Sequence, residues 1–157
     1  MRGKNNTKYR IIAPDSKYNS ELVARFINKV MLSGKKETAR NLVYSAFEEI
    51  EKKSGKKPLE IFETAIQNAS PILEVRSRRI GGANYQVPRE VAPKRKIYLS
   101  IHWIVDAARS KSGTSFDKLL ANEILDAYEN KGTSIKKKED LHKMAEANRA
   151  FAHFGRF

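Results

Sequence analysis

The chain has 157 residues, 40% hydrophobic and 31% charged, enough apolar material for one packed domain with an arm or tail. Lys and Arg number 31 against 18 Asp and Glu, and a net charge of +13 attracts polyanions, nucleic acid first and an anionic membrane second. The absence of cysteine excludes disulfides, cysteine-ligated zinc and a thiol nucleophile and leaves the redox compartment open, while no apolar run approaches the roughly 20 residues of a membrane span.

Residues 1–18 carry Arg2, Lys4, Lys8 and Arg10 before the first acid, Asp15, and show no periodicity. They read as a basic N-terminal tail of the kind a partner orders. The apolar run Ile11-Ile12-Ala13 is too short for a signal-peptide core, and the start is too poor in Arg and Ser for a transit peptide. A cytosolic bacterial protein, or one made inside an organelle, is expected.

A helical domain is predicted over 19–150. Leu22, Val23, Phe26, Ile27, Val30 and Met31 recur on one helical face, with Asn19 or Ser20 as cap and Gly34 as stop. A second helix spans about Lys36 to Lys53 through Ala39, Leu42, Val43, Ala46, Phe47 and Ile50, ending at Gly55. A third opens on Pro58, carries Leu59, Phe62, Ile66 and Ala69 inward, and closes before Pro71. The period then changes to two. Leu73, Val75 and Ser77 fall on one face and Glu74, Arg76 and Arg78 on the other, and Tyr85, Val87 and Val91 alternate after the turn cluster Gly81-Gly82-Ala83-Asn84. This predicts a β-hairpin arm at about 72–91, roughly 30 Å long at about 3.3 Å per residue, with Pro88 on an edge. A lone ribbon is barely stable in water, so either its base packs on helices or a partner supports its tip. A fourth helix starts at Pro93 and runs through Ile97, Ile101, Ile104, Val105 and Ala108. After Gly113, Thr114 with Asp117 resembles a capping box for a fifth helix burying Leu120, Ile124 and Ala127 and ending at Gly132. A last helix, about Ser134 to Ala150, has a thin stripe of Ile135, Met144, Ala145 and Phe151, and 151–157 form a C-terminal tail. The fold class is mostly α: six helices in one domain with a protruding hairpin between the third and fourth.

The arm is the sharpest local clue. Residues 74–96 hold Arg76, Arg78, Arg79, Arg89, Lys94, Arg95 and Lys96 against Glu74 and Glu90, a net +5. Arginine forks bind phosphate bidentately and stack on bases, and the glycines at the tip allow close backbone approach. The plainer alternative is a turn whose charges blunt an exposed edge, which lysine alone would serve. Lys35-Lys36 beside Gly34 lies at a helix start, where free N–H groups add to the field. Lys136-Lys137-Lys138, interleaved downstream with acids, reads equally well as a solvated face. With no helix-turn-helix, zinc finger or zipper, dispersed basic patches favour a folded RNA over duplex DNA.

An RNA-processing enzyme would need a nucleophile, base or metal. His102 beside Trp103 reads as packing, His142 and His153 as RNA contacts or solvated residues, and Glu48, Glu49 and Glu51 as a solvated face. Gly81-Gly82 lacks the helix and Lys-Ser/Thr of a phosphate loop. A DNA-compacting protein is the other rival from the same charge. No catalytic residue, metal, cofactor, membrane or small-molecule substrate is expected.

Three stretches go further: SELVARFINKVMLSGKKETARNLVYSA from Ser20 to Ala46, LEVRSRRIGGANYQVPREV from Leu73 to Val91, and KKKEDLHKMAEANRAFAH from Lys136 to His153. In the first, the matching positions are Ser20, Leu22, Phe26-Ile27, Gly34-Lys35-Lys36, Leu42-Val43 and Ala46. In this order they resemble the universal S-seven family of small-subunit ribosomal proteins, bacterial or organellar type. The resemblance implies a helical domain with a β-ribbon arm that binds the 3′ domain of 16S-type ribosomal RNA and nucleates assembly of the subunit head. It also implies a place at the exit site near messenger and transfer RNA, with neighbouring head and platform proteins as partners. Ribosomal RNA contacts would then fall to Arg2, Lys4, Lys8, Arg10, Lys35, Lys36, Arg76, Arg78, Arg95 and Arg109. Exit-site contacts would fall to Arg79, Gly81, Gly82, Asn84, Asn148, Arg149 and His153. Leu141 stands where the family usually has threonine, and Phe154-Gly155-Arg156-Phe157 where Tyr, Arg and Trp are commoner.

Overall fold

A computed structural model describes residues 12–156. Arg2, Lys4, Lys8 and Arg10 lie outside the described residues. Six α-helices follow in order, with the hairpin between the third and fourth: α1 (Glu21–Val30), α2 (Lys36–Ser54), α3 (Pro58–Ala69), β1 (Leu73–Ile80), β2 (Ala83–Glu90), α4 (Pro93–Ser110), α5 (Phe116–Tyr128) and α6 (Gly132–Ala147). A 3-10 segment, Arg149–Arg156, completes the described chain.

The helical periodicities converge on one core. Phe26, Phe47, Phe62, Ile50, Ile61, Ile104, Leu120 and Ile124 are all fully buried. The phenylalanine rings meet edge-on or tilted, Phe26–Phe62 at 4.9 Å and Phe47–Phe62 at 5.3 Å between centroids. Such pairs add to their area burial because ring edge and ring face carry opposite partial charge. Ahead of α1, Asp15 is buried and accepts from the Lys17 and Tyr18 amides (3.0 and 3.1 Å) and from the Tyr44 hydroxyl (2.9 Å). Ser20, not Asn19, caps α1 by accepting from Val23 N–H.

Several boundaries differ from the sequence reading. α1 ends at Val30, where Met31 N–H still bonds Ile27, so Gly34 (φ +75°) shapes the following turn instead. α5 ends at Tyr128, and Gly132 opens α6 rather than closing α5. Ser115 is the α5 N-cap, so no Thr114–Asp117 box forms. Met144 is exposed, because the α6 face that meets the core is carried by Ile135 and Ala145.

The hidden feature of this end is Glu123, fully buried in α5. Its Oε1 accepts from the Ser134 amide (2.9 Å) and hydroxyl (2.8 Å), so a carboxylate from one helix caps the start of the next. Its Oε2 pairs with Lys111 Nζ at 2.6 Å. Burial pushes the Lys111 ammonium pKa down, but its bonds to Glu123 and Asp126 outweigh that and leave it raised. Gly132 sits at φ +90°, and a Cβ there would fall 3.0 Å from Asp126 Cβ and 3.1 Å from Glu123 Oε1, so the chain can turn over the carboxylate only as glycine.

Candidate nucleic-acid interface

β1 and β2 pair antiparallel in the register Leu73↔Glu90 through Ile80↔Ala83. The two residues between the strands, Gly81 (φ +56°) and Gly82 (φ +90°), supply the positive φ values that a tight two-residue hairpin turn demands. Val91 N–H donates to Ile72 C=O at the base. Alternation from there places Val75↔Pro88 at a non-hydrogen-bonded pair, where the missing proline N–H costs no ladder bond. The base is held to α6 as well: Ile72 N–H donates to His142 Nε2 at 3.0 Å. Burial, then the charge of Lys138, holds the His142 pKa below its ordinary value, keeping the ring neutral and able to accept.

One face of the ribbon carries Glu74, Arg76, Arg78 and Ile80 opposite Arg89, Val87, Tyr85 and Ala83. The sequence reading set Glu74 among outward residues, yet it is buried, its side chain only 7% exposed. Arg89 reaches it at 2.7 Å, while Arg76 and Arg95 lie 3.3 Å away. Burial alone would raise the Glu74 pKa, but the bonds from Arg89 and Arg95 outweigh it and leave the carboxyl below its ordinary value. One carboxylate cannot neutralise three guanidiniums. It fixes them by one edge and leaves their remaining donors toward solvent, with side-chain exposures of 57% for Arg76, 42% for Arg89 and 44% for Arg95. Elsewhere cations pair with near acids along the helices, as in Arg25–Glu21 and Arg40–Glu37. Such exposed pairs contribute little stability and cancel the local field.

The same face receives the C-terminal segment. Tyr85 packs against Phe151 at 5.1 Å and Phe154 at 5.5 Å, and Arg78 donates to the Phe154 carbonyl at 3.1 Å. Residues expected at the exit site, scattered through the sequence, are thereby brought to one side of the molecule. Arg79, Gly81, Gly82 and Asn84 form the exposed tip, and Asn148, Arg149 and His153 lie on the segment that clamps the ribbon. Asn148 donates to Met144 C=O, His153 contacts Ala150 C=O at 2.9 Å, and Arg149 lines an open cleft of about 920 Å³ under the ribbon with Leu73, Pro88, His142 and Ala145.

The other expected contacts sit apart from the arm in the sequence. Lys35 is the N-cap of α2 and Lys36 its first residue, both exposed. Arg109, at the end of α4, spends one nitrogen on the α1 carboxyl-end carbonyls, 3.0 Å from Val30 O, which fastens α1 to α4. His102 lies half-buried with Nε2 3.2 Å from Asp106 and its ring stacked on Tyr98. Glu48 and Glu49 pair with Lys17 and Lys52, and among the described residues no group of three or more His, Asp or Glu is placed to hold a metal ion. Among the same residues, no helix is long and apolar enough to cross a membrane. Sequence reasoning missed Glu74 as the anchor and Tyr85 as the clamp partner. The register could have exposed the first, since Glu74 falls directly opposite Arg89.

A helical body carrying an arginine-bearing ribbon, with excess positive charge and no catalytic cluster among the described residues, defines a basic RNA-binding protein. The family model described as "Ribosomal protein S7p/S5e" matches residues 1–149, so the chain belongs to that family, whose members are structural ribosomal proteins and not enzymes. It is 54% identical over 154 residues to proteins named "Small ribosomal subunit protein uS7" from Streptococcus equi subsp. zooepidemicus, Streptococcus agalactiae and Streptococcus pneumoniae, covering 98% of this chain and 99% of each relative.

Proposed function

We propose that this protein binds the 3′ domain of small-subunit ribosomal RNA, nucleates assembly of the subunit head, and lines the exit site beside messenger and transfer RNA. Its place of action is the cytoplasmic ribosome, or the organelle interior if the chain is organelle-encoded. The observation that carries the reading is the arginine trio held over Glu74: fixed forks facing solvent are a surface for phosphates, with the entropy of ordering them already lost. Ribosomal RNA contacts are assigned to Lys35, Lys36, Arg76, Arg78, Arg95 and Arg109, together with Arg2, Lys4, Lys8 and Arg10 of the N-terminal tail. Exit-site contacts are assigned to Arg79, Gly81, Gly82, Asn84, Asn148, Arg149 and His153. Head and platform proteins would then assemble on the complex. This organisation treats 1–18 as tail, 19–150 as the helical domain and 151–157 as a second tail.

The mechanism is counterion release. If six to ten phosphates are neutralised, log affinity falls against log salt with a slope of roughly −5 to −9. The test is a hydroxyl-radical footprint and a salt titration on the isolated 3′-domain transcript. Protection confined to that domain with a steep slope supports the reading. Salt-insensitive binding, or equal affinity for duplex DNA at the same ionic strength, overturns it.

A further inference from the structure

Outside the ribbon, the face shared by α1 and α4 carries a feature the charge argument does not use. Tyr98 is large, aromatic and 52% exposed. Its ring is nonetheless fixed: the Arg95 guanidinium lies 5.3 Å from its centroid, and His102 stacks on it at 5.6 Å with planes 14° apart. Arg95 is itself tied to Glu74 at 3.3 Å, so the stack continues directly from the arginine trio of the ribbon. Tyr98 forms one wall of a hollow of about 280 Å³ between α1 and α4, whose other walls are Ile12, Ile97 and Ile101, with Asn28 and Lys29 at its edge. That volume lies below the roughly 300 Å³ at which pockets for drug-sized ligands begin, and suits a single flat heterocycle. The neighbouring hollow adds Arg25 and Lys94, and its only acid, Glu21, is engaged with Arg25. An apolar slot with a fixed aromatic wall, an amide beside it and a cationic rim matches a nucleotide: base inside, phosphate outside.

We propose that this hollow seats one unpaired base of the bound RNA, stacked against Tyr98, with its backbone phosphate on Lys29 and Arg95. The inference rests on the RNA-binding reading above and adds a base contact to a surface otherwise read as gripping phosphates. Asn28 carries both a donor and an acceptor, so it can read the edge of the base that enters.

The test uses the full chain and the 3′-domain transcript of small-subunit ribosomal RNA, comparing wild type with Tyr98→Ala, Tyr98→Leu, Tyr98→Phe and Lys29→Ala. Loss of the ring should weaken binding by roughly 5- to 100-fold while leaving the salt slope unchanged, because no phosphate contact is removed. Tyr98→Phe should bind as wild type does. Lys29→Ala should lower the slope by about one. Base-specific chemical probing should show one unpaired nucleotide shielded by wild type and open in the Tyr98→Ala complex. Tyr98→Leu keeps apolar bulk, so it gives the same loss of affinity even if the alanine variant folds poorly. If wild type binds with a steep salt slope and both Tyr98→Ala and Tyr98→Leu match it, the base seat is wrong and the RNA-binding reading stands. Failure of wild type itself to bind sinks both. If the substitutions instead lower thermal stability or change the oligomeric state with RNA affinity intact, the hollow is covered by this chain or a second copy, and the proposal is overturned.

Discussion

Replacing Arg76, Arg78 and Arg79 together with alanine separates an arm that grips RNA from an arm that merely decorates the fold. All three side chains are on exposed positions of β1, and none belongs to the buried core. Removing Arg76 leaves Glu74 with Arg89 and Arg95, so the buried carboxylate is not stranded, and removing Arg78 costs one exposed bond to the Phe154 carbonyl. The stability loss should therefore stay near 1 kcal/mol or less, about 2–4 °C in melting temperature for a chain of this size. Affinity behaves differently. If each arginine neutralises one phosphate, the salt slope drops by about 2.7, at roughly 0.9 per contact. Between 50 and 200 mM salt the triple variant's deficit should then shrink roughly 40-fold. Fluorescence anisotropy on the labelled 3′-domain transcript over that range, with circular dichroism melts in parallel, measures both. An unchanged slope with unchanged affinity refutes the assignment of the arm. A collapse of the melt refutes the claim that the ribbon lies outside the stabilising core.

Glu123→Ala strands the Lys111 ammonium and the Ser134 amide, and should cost about 2–4 kcal/mol in a urea titration, less than for a fully buried pair because Lys111 is one-third exposed. Gly132→Ala must hold φ +90° with its Cβ against Glu123 and Asp126, and should destabilise by more than about 1 kcal/mol, whereas an alanine at the exposed Gly113 meets no neighbour and suffers only its backbone strain. For His142 the folded pKa lies below 6.5, so the unfolded chain takes up its proton first: the stability this ring contributes is complete above pH 6.5 and declines as pH falls toward the folded value. An NMR titration should place the His142 midpoint under 6.5 with Ile72 amide exchange quickening as it protonates, and a midpoint above 6.5 contradicts the geometry. Glu74, with its carboxyl pKa depressed, adds stability that is present above pH 4.5 and lost as acid carries the group through its folded value. Glu74→Gln should flatten the acid limb of the pH–stability curve, and an unaltered limb would show that the arginine trio is not anchored there.

Elements whose signal is periodic were legible in the residues alone. The stripes of Phe26, Phe47, Phe62, Ile104 and Ile124 identified the core helices because a 3.6-residue repeat has one way to bury itself. The switch to alternation at Leu73 identified the ribbon, and the basic positions named the type of partner. What stayed hidden depends on pairs far apart in sequence. A glutamate on a helix reads as solvated until a neighbouring helix end and Lys111 are seen to meet Glu123. Glu74 reads as outward until the register puts Arg89 beside it. Gly132 reads as a helix stop, since glycine marks an end or a beginning equally well when φ is positive. Tyr85 with Phe151 and Phe154 joins the ribbon to the chain's last described turns, a contact no local pattern announces.

These long-range contacts explain how a ribbon so rich in positive charge holds its shape before any RNA arrives. Like charges on adjacent strand positions repel, and a two-stranded ribbon has little stability to oppose them. Glu74 converts part of that repulsion into attraction at the base, where Arg89 and Arg95 approach from the second strand and from α4. Tyr85 and the C-terminal rings grip the outer half, and His142 holds the inner end to α6. No counter-charge is spent at Arg79 or the glycine turn, which have no part in holding the ribbon down. Charge is thus balanced where the ribbon must be anchored and left unbalanced toward the tip, where a polyanion can be met. A ribbon neutralised along its whole length would be more stable and would have less field to offer a phosphate.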